Sequence, residues 1–233
     1  MVGWDEHLIR ADYPGKPGFL TGPWPNAFPF NSIENVRASL STFRLDTPTG
    51  AWRAPYSNTH AFVSQSFIHE LASKAGRDHL EFLLEILGEP RWLAPGQVNA
   101  LNTERAIGVL NRVAKESGLS KRPLDQGRGL GLAFYFCHAA HVAEVADVSI
   151  SKNQEVTVHK ITAAVDVGPI INMSGALNQV EGSIMDGLST MIGQKITMEN
   201  GRIQETNLDQ NPVLRINSSL LYTSPSPRDK RQS

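Results

Sequence analysis

The chain has 233 residues, with 22 lysines and arginines against 23 aspartates and glutamates, 40% hydrophobic residues and one cysteine. Its net charge of −1 lacks the basic footprint of a nucleic-acid or anionic-membrane binder, and Cys137 alone can form neither an internal disulfide nor a cysteine-cluster metal site. The longest apolar run, Gly129 to Cys137, is broken by His138 and His141, short of the roughly 18 residues a membrane span needs, and the first residues carry no signal-peptide pattern.

In chain order, residues 1–49 read as an irregular Pro/Gly-rich lead-in. Prolines at 14, 17, 23, 25, 29 and 48 forbid long helices there, so the segment suits a strap over a partner surface. Helices follow. Ser57 or Asn58 caps a segment whose Phe62, Val63, Phe67, Ile68 and Leu71 form an apolar face, ended by Gly76. Leu80 to Leu87 makes a short helix ending at Gly88. Thr103 caps a third, with Ile107, Leu110 and Val113 on one side and Gly118 at its end. Strands are expected at Leu130–Phe136, Val142–Ile150 and Glu155–Val165. A long helix over 174–192 has an apolar stripe of Leu177, Val180, Ile184, Leu188 and Met191. Asn200-Gly201 then supplies the turn of a hairpin. This order predicts an α+β (mixed α/β) fold. The tail over 218–233 is polar and Pro/Ser-rich, expected to be disordered; its LLYTSPSPRD resembles a translated sequencing-library adapter and is excluded as an artefactual scar, placing the end of the natural sequence near Asn217.

Most chemical motifs have bland readings. His138 and His141, three apart on a strand, point to opposite faces, which argues against a shared metal. Gly127-Arg128-Gly129-Leu130-Gly131 precedes a β-like run rather than a helix, so it reads as a glycine-rich strand start and not a dinucleotide loop. Cys137, in an apolar run, reads as a buried inert thiol. Two segments leave more open. In Gly50-Ala51-Trp52-Arg53-Ala54-Pro55, the proline is expected to hold Ala54 extended, so that the N–H groups of Arg53 and Ala54 could face a ligand; a Trp-Arg anchor on the core is equally open. In the long helix, Gln179, Gly182, Ser183 and Asp186 share a face where small residues admit a planar ligand and an amide both donates and accepts; composition alone favours a solvated face.

Those two segments carry a resemblance. GAWRAPYSNTHAFVSQSFIHELASKAGRDHLEFLLEIL is similar to the cofactor loop and following helices of the molybdenum hydroxylase large subunits. HVAEVADVSI, EVTVHKITAAVDVGPIIN, ALNQVEGSIMDGLS and KITMENGRIQETN resemble, in order, their second molybdopterin-binding domain. Within the xanthine dehydrogenase and aldehyde oxidase superfamily the likeness is to the isoquinoline 1-oxidoreductase beta subunit type, from about Gly22 to Asn217.

The resemblance implies cofactor contacts at Trp52, Arg53 and Ala54, a substrate-pocket position at Pro55 with Tyr56 beside it, and pterin contact at Gln179 and Gly182 of Gln-Val-Glu-Gly. It divides the chain into the 1–49 lead-in, a 50–118 cofactor loop with helices, a 119–217 molybdopterin-binding α+β segment and the 218–233 tail. It implies a molybdopterin-type cofactor, including its cytosine dinucleotide form, held only in the full-length subunit. The activity implied is hydroxylation of an N-heterocycle or an aldehyde with water as oxygen source. Implied partners are the remainder of the large subunit and a small [2Fe-2S] subunit. No catalytic residue and no metal ligand is assigned, because the family's G-Q-G loop and its G-V-G-E-P glutamate fall outside this sequence; the isolated chain is expected to be inactive. Met173 stands where relatives carry proline, Gln194 where glutamate is common, and Leu208–Asn211 depart from N-F-D-D-Y. These departures motivate an alternative, a cofactor-free scaffold or subunit-interaction module. The compartment, cytoplasmic or periplasmic, is left open.

Overall fold

In the computed structural model, which describes residues 3–12, 27–47, 50, 52–55, 57–119, 124–211 and 213–214, the chain divides into two units, residues 1–167 and 168–233. The division falls inside the expected 119–217 segment. The architecture is α+β, as the order of elements predicts. The 218–233 tail lies outside the described residues.

The first unit begins with a correction. The lead-in expected to be irregular carries strand β1 (Trp4–Asp12) and strand β2 (Val36–Arg44), paired in parallel from Trp4↔Val36 to Asp12↔Arg44. The prolines and glycines that dominate the reading of this segment cluster between the strands, whereas WDEHLIRAD and VRASLSTFR contain none. Parallel strands are usually covered on both faces; here β2 is exposed along nearly its whole length. Trp4 ties the ribbon to the core, its ring edge-on to Phe30 at 6.4 Å and to Phe67 at 5.3 Å.

Helices α1 (Ser57–Lys74), α2 (His79–Leu87) and α3 (Thr103–Ser117) follow as expected. Gly76, Gly88 and Gly118 sit just beyond them at φ of 64°, 67° and 69°, a region that stops a helix at little cost only for glycine. The cap of α3 is Asn102, one residue before the expected Thr103. Its side chain accepts from the Arg105 N–H at 3.2 Å. Thr103 is fully buried instead, its hydroxyl accepting from the Arg91 N–H and donating to the Glu89 carbonyl, both at 2.8 Å.

The buried side of α1 also differs from expectation. His60, Ser64, Gln65, Ile68 and Ala72 are buried, while Phe62, Val63 and Phe67 are exposed. The cause is the neighbour: α1 runs beside an edge strand, whose outward-pointing backbone groups need polar partners. That strand is β3 (Arg128–Cys137), paired antiparallel to β4 (Ala140–Ile150), which pairs antiparallel to β5 (Val156–Asp166), in the order β3-β4-β5. Gln65 Oε1 accepts from the Phe134 N–H at 2.9 Å, so the helix satisfies the edge at that residue.

Burial alternates along the inner stretches of β3 and β4. Leu132, Phe134, Phe136, His141, Ala143 and Val145 are buried, and their intervening neighbours are not. The buried face packs with α3 and with Phe28, Ile68, Leu83, Leu87, Leu101 and Leu110 in one core. At the strand start, Gly127 has φ 82°, and a Cβ there would meet the Ile150 carbonyl oxygen at 3.1 Å, so the glycine serves the turn and not a phosphate.

In the second unit, α4 (Met173–Ile192) is capped by Asn172, whose side chain accepts from the Gly175 N–H at 3.0 Å. The expected stripe is buried only at Leu188; Leu177 and Met191 are exposed. Besides α4, the described residues of this unit form only the hairpin of β6 (Met198–Glu199) and β7 (Arg202–Ile203), too little surface to cover a 20-residue helix. Asn200 and Gly201 at φ 49° and 75° make the expected turn.

Candidate functional site

The tryptophan-arginine turn lies immediately before α1. Trp52, Arg53 and Ala54 are all exposed, and Pro55 is half-buried. Ala54 is not extended as expected: its φ is 55°. Its carbonyl accepts from the Asn58 N–H at 3.3 Å, and the Pro55 carbonyl accepts from the Ser57 N–H at 2.8 Å. The residue is thus bound into the first turn of α1, and its positive φ departs from the extended conformation a following proline usually imposes. The core-anchor reading fails for Trp52, which is 52% exposed. Tyr56 and Ala51 lie outside the described residues.

Gln179, Gly182 and Ser183 are exposed on α4, and Asp186 is half-buried. A Cβ at Gly182 would meet nothing within 4 Å, so one face of the helix offers an amide beside an unfilled gap. Ser183 turns its hydroxyl back onto the Val180 carbonyl at 2.8 Å, leaving Gln179 as the group that can both donate and accept outward. This donor set fits a polar, planar ligand with mixed hydrogen-bonding edges, the character of a pterin. The Trp52–Pro55 turn belongs to the first unit, and Gln179 and Gly182 to the second.

Asp166, the last residue of β5, is held by Arg105 of α3 through contacts of 2.8 and 2.6 Å; Gly168 at φ 80° then turns the chain, and Asn172 starts α4. Among the described residues, no three of histidine, cysteine, aspartate or glutamate gather as a metal site would require. His138 is not on a strand: with Ala139 it forms the β3–β4 turn, at φ 49° and 65°. His141 is 1% exposed, and its Nε2 accepts from the Asn102 N–H at 3.3 Å. Burial, reinforced by the Arg105 guanidinium, pushes its pKa down to about 4 against the pull of Asp166. Cys137 is half-buried rather than enclosed, touching Ser57 Oγ at 2.8 Å and His138 Nδ1 at 2.7 Å.

Sequence reasoning missed Gln65 and Glu144. Both interrupt apolar neighbours, Gln65 among the apolar positions of α1 and Glu144 between Val142 and Ala146 on its own face of β4. That mismatch is the signal that could have found them. Glu144 is half-buried, and burial raises its pKa.

Comparison with known proteins agrees with this picture. The chain is 28% identical over 158 residues to the beta chain of isoquinoline 1-oxidoreductase from Brevundimonas diminuta, covering 66% of this chain and 19% of that protein. It is 25% identical over 195 residues to the B component of nicotinate dehydrogenase from Pseudomonas putida, covering 81% and 16%. With a membrane-bound aldehyde dehydrogenase (pyrroloquinoline-quinone) of Gluconacetobacter polyoxogenes it shares 28% identity over 241 residues, covering 91% and 31%. The chain therefore spans less than a third of the length of each of these relatives. The model of the molybdopterin cofactor-binding domain matches residues 98–218, just over half of the chain and including α3, the β3–β5 sheet and α4. This protein belongs to the molybdopterin cofactor-binding domain family.

Proposed function

We propose that the chain forms one wall of the cofactor site in a molybdopterin-dependent oxidoreductase that hydroxylates an N-heterocycle or an aldehyde with water as oxygen source. The observation that carries this reading is the coincidence of the family match with α4, where Gln179 and Gly182 stand exposed on one face. The substrate class rests on the relatives' names: isoquinoline and nicotinate are N-heterocycles, and the third relative acts on aldehydes.

The Gln179 amide would fix the orientation of the pterin through its paired donor and acceptor, and Gly182 would let the ring system lie close to the helix backbone. In the first unit, Trp52, Arg53 and Ala54 are the candidates for cofactor contact, and Pro55 and Tyr56 the candidates for the substrate pocket. When bound, the cofactor, including its cytosine dinucleotide form, supplies the redox chemistry and the activated oxygen. The chain's residues bind and orient; none is assigned as a proton acceptor, and the isolated chain is proposed to be inactive. Cys137 is the chain's single cysteine, so it cannot ligate an iron–sulfur cluster that takes about four; a [2Fe-2S] partner subunit would carry the electrons away. In domain terms, 50–118 and 119–217 would be the two cofactor-facing segments.

The test is cofactor occupancy. With the chain joined to the remainder of its subunit and produced in a molybdopterin-making host, Gln179→Leu and Gly182→Val should each lower bound molybdenum and pterin at least several-fold, with the melting temperature unchanged. Full occupancy in both variants would remove Gln179 and Gly182 from the site, and stoichiometric cofactor on the isolated chain would overturn its inactivity. The second reading, a cofactor-free interaction module, draws on Met173 and Gln194; a locus without G-Q-G and G-V-G-E-P motifs would favour it.

A further inference from the structure

A groove of about 390 Å³ runs between α1 and the edge strand β3 in the first unit, with Phe62, Gln65, Leu132, Tyr135, Val142 and Glu144 among its walls. Nothing in the proposed cofactor site uses it. Gln65 is 6% exposed, and its two ends have different fates. Oε1 is committed to the Phe134 N–H, whereas Nε2 is buried without any hydrogen-bond partner. A buried amide donor left unmatched costs more than an ordinary hydrogen bond gains, so such groups normally have partners. The half-buried Glu144 carboxyl lines the same groove and offers an acceptor whether ionised or protonated.

The two groups define the complementary molecule. It must accept from Gln65 Nε2 and donate to Glu144. A carboxylate or phosphate satisfies the first but meets Glu144, and no lysine or arginine lines the groove to compensate. An ammonium satisfies the second but faces the Gln65 N–H groups with further donors. A carbonyl adjacent to an N–H satisfies both from one edge. The remaining walls are mostly apolar or aromatic, among them Leu132, Val142, the Tyr135 ring, and Phe62, which is 69% exposed at the rim; Ser66 and His69 add two side chains that can donate or accept. These suit a flat ring system, and the volume lies at the small-ligand end of the usual range.

We propose that this groove is a binding site for a small planar cyclic amide, whose carbonyl accepts from Gln65 Nε2 and whose N–H donates to Glu144. The site requires neither molybdenum nor pterin, so it stands or falls separately from the cofactor reading.

The experiment is an NMR titration of the whole chain, free of cofactor, with 2-pyridone and with N-methyl-2-pyridone, following the Gln65 side-chain amide and the Phe134 backbone amide. 2-Pyridone should shift both saturably, and the N-methyl compound, lacking the donor, should bind roughly tenfold more weakly. Gln65→Glu keeps the acceptor for Phe134 and removes both Nε2 donors; it should bind 2-pyridone roughly tenfold more weakly. Glu144→Ala, on the open face of the sheet, should lose the preference between the two probes and decides the matter if Gln65→Glu does not fold. The absence of saturable shifts up to about 10 mM, equal binding of the two probes by the wild type, or retention of the preference by Glu144→Ala overturns the proposal.

Discussion

Acid should loosen the first unit through His141. The ring is 1% exposed, and its Nε2 accepts from the N–H of Asn102, the residue that caps α3. It can accept there only while that nitrogen carries no proton. With the folded pKa near 4 against an ordinary 6.5, the unfolded chain takes up the proton first. The stabilisation is therefore complete above pH 6.5 and is lost as pH falls toward 4. Linkage over that interval gives a loss of about 2 kcal/mol between about pH 7.5 and pH 5 from this side chain. His79, also pushed down to about 4 by burial and the nearby His69, adds in the same direction, but it is only half-buried, so its share is smaller. Urea unfolding followed by tryptophan fluorescence isolates the effect, because all four tryptophans, at 4, 24, 52 and 92, belong to the first unit. His141→Gln removes the titration while keeping an acceptor, and should reduce the loss over the same pH interval by about 2 kcal/mol relative to the wild type. Equal losses in the two proteins would refute the account.

Three further perturbations have definite directions. Met173 is the first residue of α4, 58% exposed, after an extended Asn172, the position and context proline accepts; Met173→Pro should stabilise by about 0.5 kcal/mol in calorimetry through the unfolded chain. Asp147 is 5% exposed and held by Arg128 at 2.7 Å; Arg128→Met, which removes that partner from a buried carboxylate, should lower the midpoint of denaturant unfolding. Glu144 has a folded pKa above its ordinary value, so its penalty grows as pH rises through the carboxylate range; Glu144→Gln should raise the melting temperature at about pH 7.5, and the gain should shrink toward about pH 4.

The sheet was legible because its three runs are rich in β-branched and aromatic residues, with burial alternating along β3 and β4, and the helix ends because Gly76, Gly88 and Gly118 take the positive φ that suits glycine. The Asn200-Gly201 hairpin was legible for the same reason. Neighbours decided the rest. Asn102 and Thr103 are both good caps, and only the burial of Thr103 settles which one serves. The apolar side chains of α1 suggested a greasy interface, but an unpaired strand edge drew Gln65 inward and left Phe62 outside. The strands in the lead-in were hidden by the prolines between them. At the candidate site, residue types and resemblance singled out Gln179 and Gly182, whereas the left-handed Ala54 stands just before Pro55, where the local pattern points to an extended residue.

The parallel β1–β2 ribbon has a practical consequence. Among the described residues neither strand pairs with a further strand, so each presents an outer edge of backbone groups on which further chains can stack. The ion pairs Arg37–Asp5, between facing residues of the two strands, and Arg10–Asp12, within β1, put charge on this ribbon, and charges of this kind discourage stacking. Salt shortens their reach to about 8 Å at physiological strength. Concentrated solutions of this chain should therefore cloud sooner as salt is added.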